Sequence, residues 1–250
     1  MTLDQFFAAH PRVALAFSGG VDSAWLLHAA VTAGARVRAY YVKSPFQPEF
    51  ELEDARRLAA RLGAELRILP VDVLQDPTVC ANPGDRCYHC KKAIFSAILA
   101  AARADGFREL MDGTNASDDA GDRPGMRALR EMEVLSPLRL CGLTKEEIRR
   151  LSREAGLFTW DKPAYACLAT RIPAGEPITP GKLERTEWAE AYLAGLGFRD
   201  FRVRCPGDTA LLQLTARDLP LLAEHREAVL SVLKQRYGSV VLDLEVRRGQ

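Results

Sequence analysis

The sequence predicts an α/β protein, a parallel doubly wound sheet followed by a small C-terminal α+β domain. Three observations carry this expectation. Over the first two-thirds of the chain, short aliphatic and β-branched runs alternate with stretches of helical period. The apolar run 13–17 passes directly into Ser18-Gly19-Gly20-Val21-Asp22-Ser23 and then into the apolar-periodic stretch 24–31. Residues 172–180 hold three prolines, and beyond them the rhythm changes. Domains are therefore expected over 1–171 and 172–250.

Taken in order, the pattern predicts a strand over 13–17 with a helix after it. A strand at 37–42 and a helix at 49–62 follow, then a strand at 65–71 and a helix at 91–104. Next come a short strand at 108–112 and a helix over 144–154, where Thr144 and Glu147 are spaced as a capping box. Strands separated by helices imply a parallel sheet covered on both faces. In the second domain the pattern predicts a helix at 181–196, strands at 201–204 and 210–214, a helix at 216–237 interrupted at Pro220, and a strand at 240–246.

Ser18 to Ser23 has the character of a pyrophosphate-binding loop. Glycines let phosphate oxygens approach the backbone, and a helix N-terminus offers N–H groups and a positive dipole end. Ser18 and Ser23 can add hydroxyl donors. Asp22 suits a Mg²⁺ bridging the phosphates, a role inferred from its charge. The loop lacks the terminal Gly-Lys-Ser/Thr of a Walker sequence, which disfavours γ-phosphate transfer. A strand–helix turn needing glycine only for backbone geometry is the alternative. Ligands of such sheets gather at the carboxyl ends of the strands, where the loop and Asp112-Gly113-Thr114-Asn115 both fall.

The chain has 250 residues, 48% of them apolar, enough for a substantial core. Its net charge of +1 offers no electrostatic argument for nucleic acid or membrane. No basic start with an apolar core marks an export signal, and no apolar run could span a bilayer, so the cytoplasm is the expected location. Six cysteines without an export signal read as thiols, metal ligands or catalytic groups. Cys87-Tyr88-His89-Cys90 can hold one metal ion or adjacent irons, or lie in an exposed loop without metal. Cys167, in Pro163 to Arg171, is either a small buried hydrophobe or, beside Lys162 and Arg171, an activated thiolate.

Taken together, Ser18 to Ser23, the segments 82–91 and 112–118, Ser136-Pro137-Leu138, Gly142-Leu143-Thr144-Lys145 and Pro163 to Arg171, whose Cys167-Leu168-Ala169-Thr170-Arg171 is the most specific part, resemble LarE-type ATP-dependent sulfur transferases. These are N-type ATP pyrophosphatases of the PP-loop superfamily, which cleave ATP to AMP and pyrophosphate. The resemblance runs through nearly the whole chain, and Cys167 separates this family from the wider superfamily. It implies the PP-loop, adenine nucleotide alpha hydrolase-like fold. ATP and pyrophosphate would be bound by Ser18, Gly19, Gly20, Asp22, Ser23, Asp112, Gly113 and Thr114, with Mg²⁺. The implied reaction adenylates a carboxylate of pyridinium-3,5-biscarboxylic acid mononucleotide and converts it to a thiocarboxylate, in the synthesis of the nickel-pincer cofactor. Asp22 and Cys167 are the implied catalytic residues.

Two sulfur sources fit the resemblance. Cys167 can surrender its own sulfur, or Cys87, Cys90 and Cys167 can hold a four-iron four-sulfur cluster, the form the three matching thiols favour. Cys80, Cys141 and Cys205 match no assignable role. Arg171, Arg202, Arg204 and Glu190 are the implied residues of the substrate side, where Arg202 and Arg204 fall on one face of a strand. The family implies a homo-oligomer. An amidating or tRNA-thiolating PP-loop enzyme and a non-catalytic ATP-sensing protein are the other readings. Near-neutral charge and the lack of a basic-aromatic tract argue against nucleic acid.

Overall fold

The computed structural model describes residues 1–118 and 124–247. Internal contacts divide the chain into two compact units, Met1–Val73 with Asp85–Lys162 and Leu74–Gly84 with Pro163–Gln250. Residues 163–171, which the sequence places in the first domain, therefore group with the C-terminal unit, as does the insert 74–84.

The first unit opens with α1 (Leu3–Ala9), capped reciprocally by Thr2 and Gln5, and continues through β1 (Arg12–Ala16), α2 (Val21–Thr32), β2 (Arg36–Lys43), α3 (Glu49–Leu62) and β3 (Glu65–Pro70). The insert carries α4 (Pro77–Cys80), after which α5 (Arg86–Ala104), β4 (Leu110–Met111), α6 (Pro124–Glu131), α7 (Pro137–Leu140) and α8 (Lys145–Glu154) complete the first unit. Its four strands are all parallel, in the order β3-β2-β1-β4, and Leu135 extends the β4 edge through a parallel bridge to Met111. The α/β, doubly wound expectation is met.

Strand alternation explains why helices cover both faces. Val13, Leu15, Ala39, Tyr41 and Met111 point into one core with α2, α3 and α8, whereas Ala14, Tyr40, Val42 and Leu110 point into another with α5 and α6. Successive side chains of a strand take opposite faces, so uninterrupted apolar runs demand two covering layers. The Thr144–Glu147 capping box forms as the spacing predicts.

Several boundaries differ from expectation: the short strand is Leu110–Met111, the last strand is Ser239–Leu242, the last helix ends at Leu233, and two further differences have a local cause. The helix at 91–104 begins five residues earlier at Arg86, because helix-permissive residues follow directly on Pro83-Gly84 and nothing in 86–90 breaks the turn. Cys87 and Cys90 therefore sit within the helix and not in a loop before it. Pro220 does not interrupt a helix over 216–237. It occupies the first turn of α10, where its missing N–H costs nothing, and a separate 3₁₀ turn covers Ala216–Asp218.

In the C-terminal unit, α9 (Pro180–Gly195), β5 (Arg202–Arg204), β6 (Thr209–Gln213), α10 (Leu219–Leu233) and β7 (Ser239–Leu242) form a three-stranded mixed sheet, order β5-β6-β7, packed against helices. Ala189, Leu193, Val203, Ala210, Leu212, Val229 and Leu233 build its core. Among the described residues no helix is long and apolar enough to cross a membrane.

Thr144→Ala should cost about 1 kcal/mol in chemical denaturation, the usual value of an N-cap. Leu27→Ala, at a fully buried position, should cost about 2–5 kcal/mol. Asp105 binds the Arg67 guanidinium at 2.8 Å, the Tyr40 hydroxyl at 2.8 Å and Arg38 at 2.9 Å, and these partners, Arg67 foremost, hold its carboxyl at about 2. A carboxyl depressed on folding stabilises the protein above its unfolded value and loses that contribution as pH falls. Asp105→Asn should therefore flatten the acid limb of the stability curve between about pH 4 and about pH 2.

Candidate active site

In the first unit, β1 ends at Ala16, and Phe17 to Gly20 turn the chain into α2. Gly19 has φ +73°, and a Cβ there would lie 3.3 Å from that of Ala55, so both backbone and packing require glycine. Buried Ser23 closes the loop from inside: its hydroxyl accepts from the Ser18 amide at 3.3 Å and donates to the Gly20 carbonyl at 3.2 Å. The Ser18 hydroxyl, on an exposed residue, accepts from the Gly20 amide at 3.3 Å. Gly20 caps α2 without any side chain, so the positive end of the helix is left for an anion.

Asp112-Gly113-Thr114 crosses that helix start. A Cβ on Gly113 would lie 2.9 Å from the Ser23 amide nitrogen, so only glycine allows the approach. Buried Asp112 is held by Thr114 Oγ1 at 2.5 Å, Ser136 Oγ at 2.7 Å and the Thr114 amide at 3.3 Å. These bonds fix the segment that follows β4. Asn115 Nδ2 then donates to Asp22 Oδ1 at 3.3 Å, and the Lys145 ammonium bonds Asp22 Oδ2. Asp22 is thus a partly exposed carboxylate already holding a cation, a place a Mg²⁺ ion fits by charge and oxygen chemistry. Sequence reasoning assigned no role to Asn115 or Lys145. The capping box, which sets Lys145 at the first position of α8, was the signal for the second.

Cys87 and Cys90 lie one helical turn apart on the same face of α5, Cys87 exposed and Cys90 buried. The Arg86 guanidinium approaches the Cys87 sulfur at 3.8 Å. Among the described residues no three His, Cys, Asp or Glu side chains are gathered around one metal position. Lys162 is engaged by Asp54 at 2.8 Å.

In the C-terminal unit, half-buried Cys167 begins a 3₁₀ turn, Leu168–Arg171, and its carbonyl accepts from the Thr170 amide at 2.9 Å and hydroxyl at 2.8 Å. Arginines pin the segment on either side of it. Arg171 Nη1 donates to the Ala166 carbonyl at 3.0 Å, Arg204 Nη1 to that of Thr170 at 2.6 Å, and Arg202 Nη2 to that of Ala164. Arg171, 1% exposed, forms a two-pronged pair with Glu190, Nε to Oε1 at 2.6 Å and Nη2 to Oε2 at 3.0 Å. Glu190 also accepts from Tyr165 Oη at 2.6 Å and the Val203 amide at 2.9 Å. Burial first, then the charges of Arg171 and Arg247, pull the Arg202 guanidinium down to about 10. Arg202 is itself buried, beside Asp200 at 3.7 Å, and its guanidinium also donates to the Phe201 carbonyl.

A parallel sheet with an uncapped glycine loop at the start of α2, crossed by a second loop and carrying one acidic residue, defines a PP-loop nucleotide-binding protein. No protein-family model matches the chain. An uncharacterized protein of Synechocystis sp. is 36% identical over 249 residues, covering 97% of this chain and 92% of that protein. The pyridinium-3,5-bisthiocarboxylic acid mononucleotide synthase of Lactiplantibacillus plantarum is 34% identical over 205 residues, covering 81% and 74%. A tRNA-specific 2-thiouridylase of Thermotoga sp. is 27% identical, covering 58% of this chain and 52% of its own length. The chain belongs to the LarE family of ATP-dependent sulfur transferases.

Gly113→Ala should abolish ATP binding in a calorimetric titration while leaving the circular dichroism spectrum in place, since the added methyl must push the 112–114 segment off the start of α2. Glu190→Ala, which strands Arg171, should cost about 3–5 kcal/mol in denaturant unfolding.

Proposed function

We propose that this enzyme adenylates a carboxylate of pyridinium-3,5-biscarboxylic acid mononucleotide and converts it to a thiocarboxylate with sulfur delivered at Cys167. The observation that carries this reading is the placement of Cys167, half-buried at the head of a turn whose backbone three arginines hold. The substrate follows the likeness to the Lactiplantibacillus synthase, whose coverage of this chain exceeds that of the tRNA thiouridylase. The net charge of +1 also disfavours a polynucleotide.

A substrate carboxylate oxygen attacks the α-phosphorus of ATP, and the bond to the bridging oxygen breaks, releasing pyrophosphate. The Ser18 loop and the start of α2 receive the charge that develops on the leaving group. Gly113 and Thr114 hold the segment facing them, with Asp112 as its internal anchor. Asp22, with Asn115 beside it, would hold Mg²⁺, which supplies charge neutralisation on the phosphates when bound. The Cys167 thiolate then attacks the acyl carbon and AMP leaves. Loss of the Cα proton and cleavage of Cβ–Sγ leave sulfur on the product and dehydroalanine at 167.

Arg202 and Arg204 are the cations this reading gives to the substrate phosphate; Arg202, buried on the Phe201 and Ala164 carbonyls, would exchange one of them for it. Arg171 and Glu190 act beneath them, orienting the Cys167 turn and β5. The family resemblance supplies a second source of sulfur, a four-iron four-sulfur cluster on Cys87, Cys90 and Cys167 whose free iron would bind added sulfide; the described residues gather no three such ligands at one position, so the side chain of Cys167 is the source this reading prefers. The family resemblance supports a cytoplasmic homo-oligomer.

With the dicarboxylate nucleotide, ATP should yield AMP and pyrophosphate, and Asp22→Ala should lower that yield by several orders of magnitude with the fold retained. Formation of ADP and inorganic phosphate would contradict the reading. Mass spectrometry after turnover distinguishes the two sulfur sources. Loss of one sulfur at Cys167 marks sacrifice, and an intact Cys167 with repeated turnover in added sulfide marks the cluster.

A further inference from the structure

Lys145 has no part in the reaction as written, yet its ammonium sits on the carboxylate assigned to the metal. Its position is unfavourable for its own helix. As the first residue of α8 it faces the positive end of the dipole, where acidic side chains are preferred. Its backbone is firmly held: the amide donates to Ser117 Oγ at 3.0 Å, Thr144 caps the turn, and Leu143 O accepts from the Ala116 amide at 2.8 Å. Only the aliphatic stem is left to move. Asp22 likewise stands in the first turn of α2, so two helix starts and an ammonium converge on one carboxylate, with Asn115 Nδ2 on its other oxygen.

We propose that Lys145 is a placeholder for the metal at Asp22, and that it passes to the nucleotide's phosphates when metal-bound ATP enters. One carboxylate cannot balance a divalent ion and an ammonium together, because the two cations repel at contact distance. The negative charges of a triphosphate remove that conflict and let both remain. Metal and nucleotide binding are thereby coupled, each raising the affinity for the other. The loop without nucleotide is closed to idle metal. The inference rests on the reading of the Ser18 loop as an ATP site.

Titration of the full-length, nucleotide-free protein with Mn²⁺, followed by the electron paramagnetic resonance signal of free Mn²⁺, tests it directly. Lys145→Gln should bind Mn²⁺ about tenfold more tightly than the unmodified protein, the scale expected for removing one like charge at this range. Lys145→Arg, which keeps the charge, should not. Adding Asp22→Asn to Lys145→Gln should erase the gain, and circular dichroism should report the same fold throughout. Equal affinity in Lys145→Gln and the unmodified protein overturns the proposal, as does a gain that survives Asp22→Asn. If the unmodified enzyme forms AMP and pyrophosphate while Lys145→Gln gains no affinity, the placeholder fails and the ATP reading stands. If it does not form them, the ATP reading fails.

Discussion

The buried pair between Arg171 and Glu190 is the interaction on which the sulfur-bearing segment depends. Glu190 comes from α9, its second oxygen takes Tyr165, and its first takes the amide of Val203 in β5. One carboxylate thus ties a helix, a strand and the turn that begins at Cys167. Burying two charges is costly unless every polar atom finds a partner. Here the carboxylate accepts four hydrogen bonds, and Arg171 has further donors on Ala166 O and Thr170 Oγ1. The same satisfaction keeps both groups from touching a ligand as they stand. Their part in the proposed reaction is to hold the turn that begins at Cys167.

The first unit obeys a matching constraint made of backbone. Gly113 lies against Ser23 so closely that the Asp112 segment and the start of α2 form one surface, and Asp112 is held from within by Thr114 and Ser136. At its rim the Asp22 carboxylate meets the Lys145 ammonium and the Asn115 amide. A glycine-dictated backbone beneath partly exposed ionic groups is an arrangement suited to receiving a polyphosphate and its metal together.

Much of this was legible in the sequence. The run Val13-Ala14-Leu15 predicts a strand buried on both faces, and each side chain goes to the expected core. Thr144 and Glu147 predict a helix start that forms as spaced. The early start of α5 was not legible, because Arg86 to Cys90 lack the apolar period that marks 91–104. Nor was the meeting of Lys145 with Asp22, since it joins residues 123 positions apart and depends on how α8 packs beside α2. Arg171 and Glu190 were recognisable as candidates, but their burial against each other depends on α9 returning over the Cys167 turn, which no local pattern encodes.

The central claim is that sulfur reaches the substrate through the side chain at 167. It is tested most directly by assaying Cys167→Ser for the thiocarboxylate product alongside AMP and pyrophosphate, under anaerobic conditions with and without added sulfide. The expected result is continued ATP cleavage with no thiocarboxylate in either condition. Thiocarboxylate formed by Cys167→Ser at the rate of the unmodified enzyme would contradict the account.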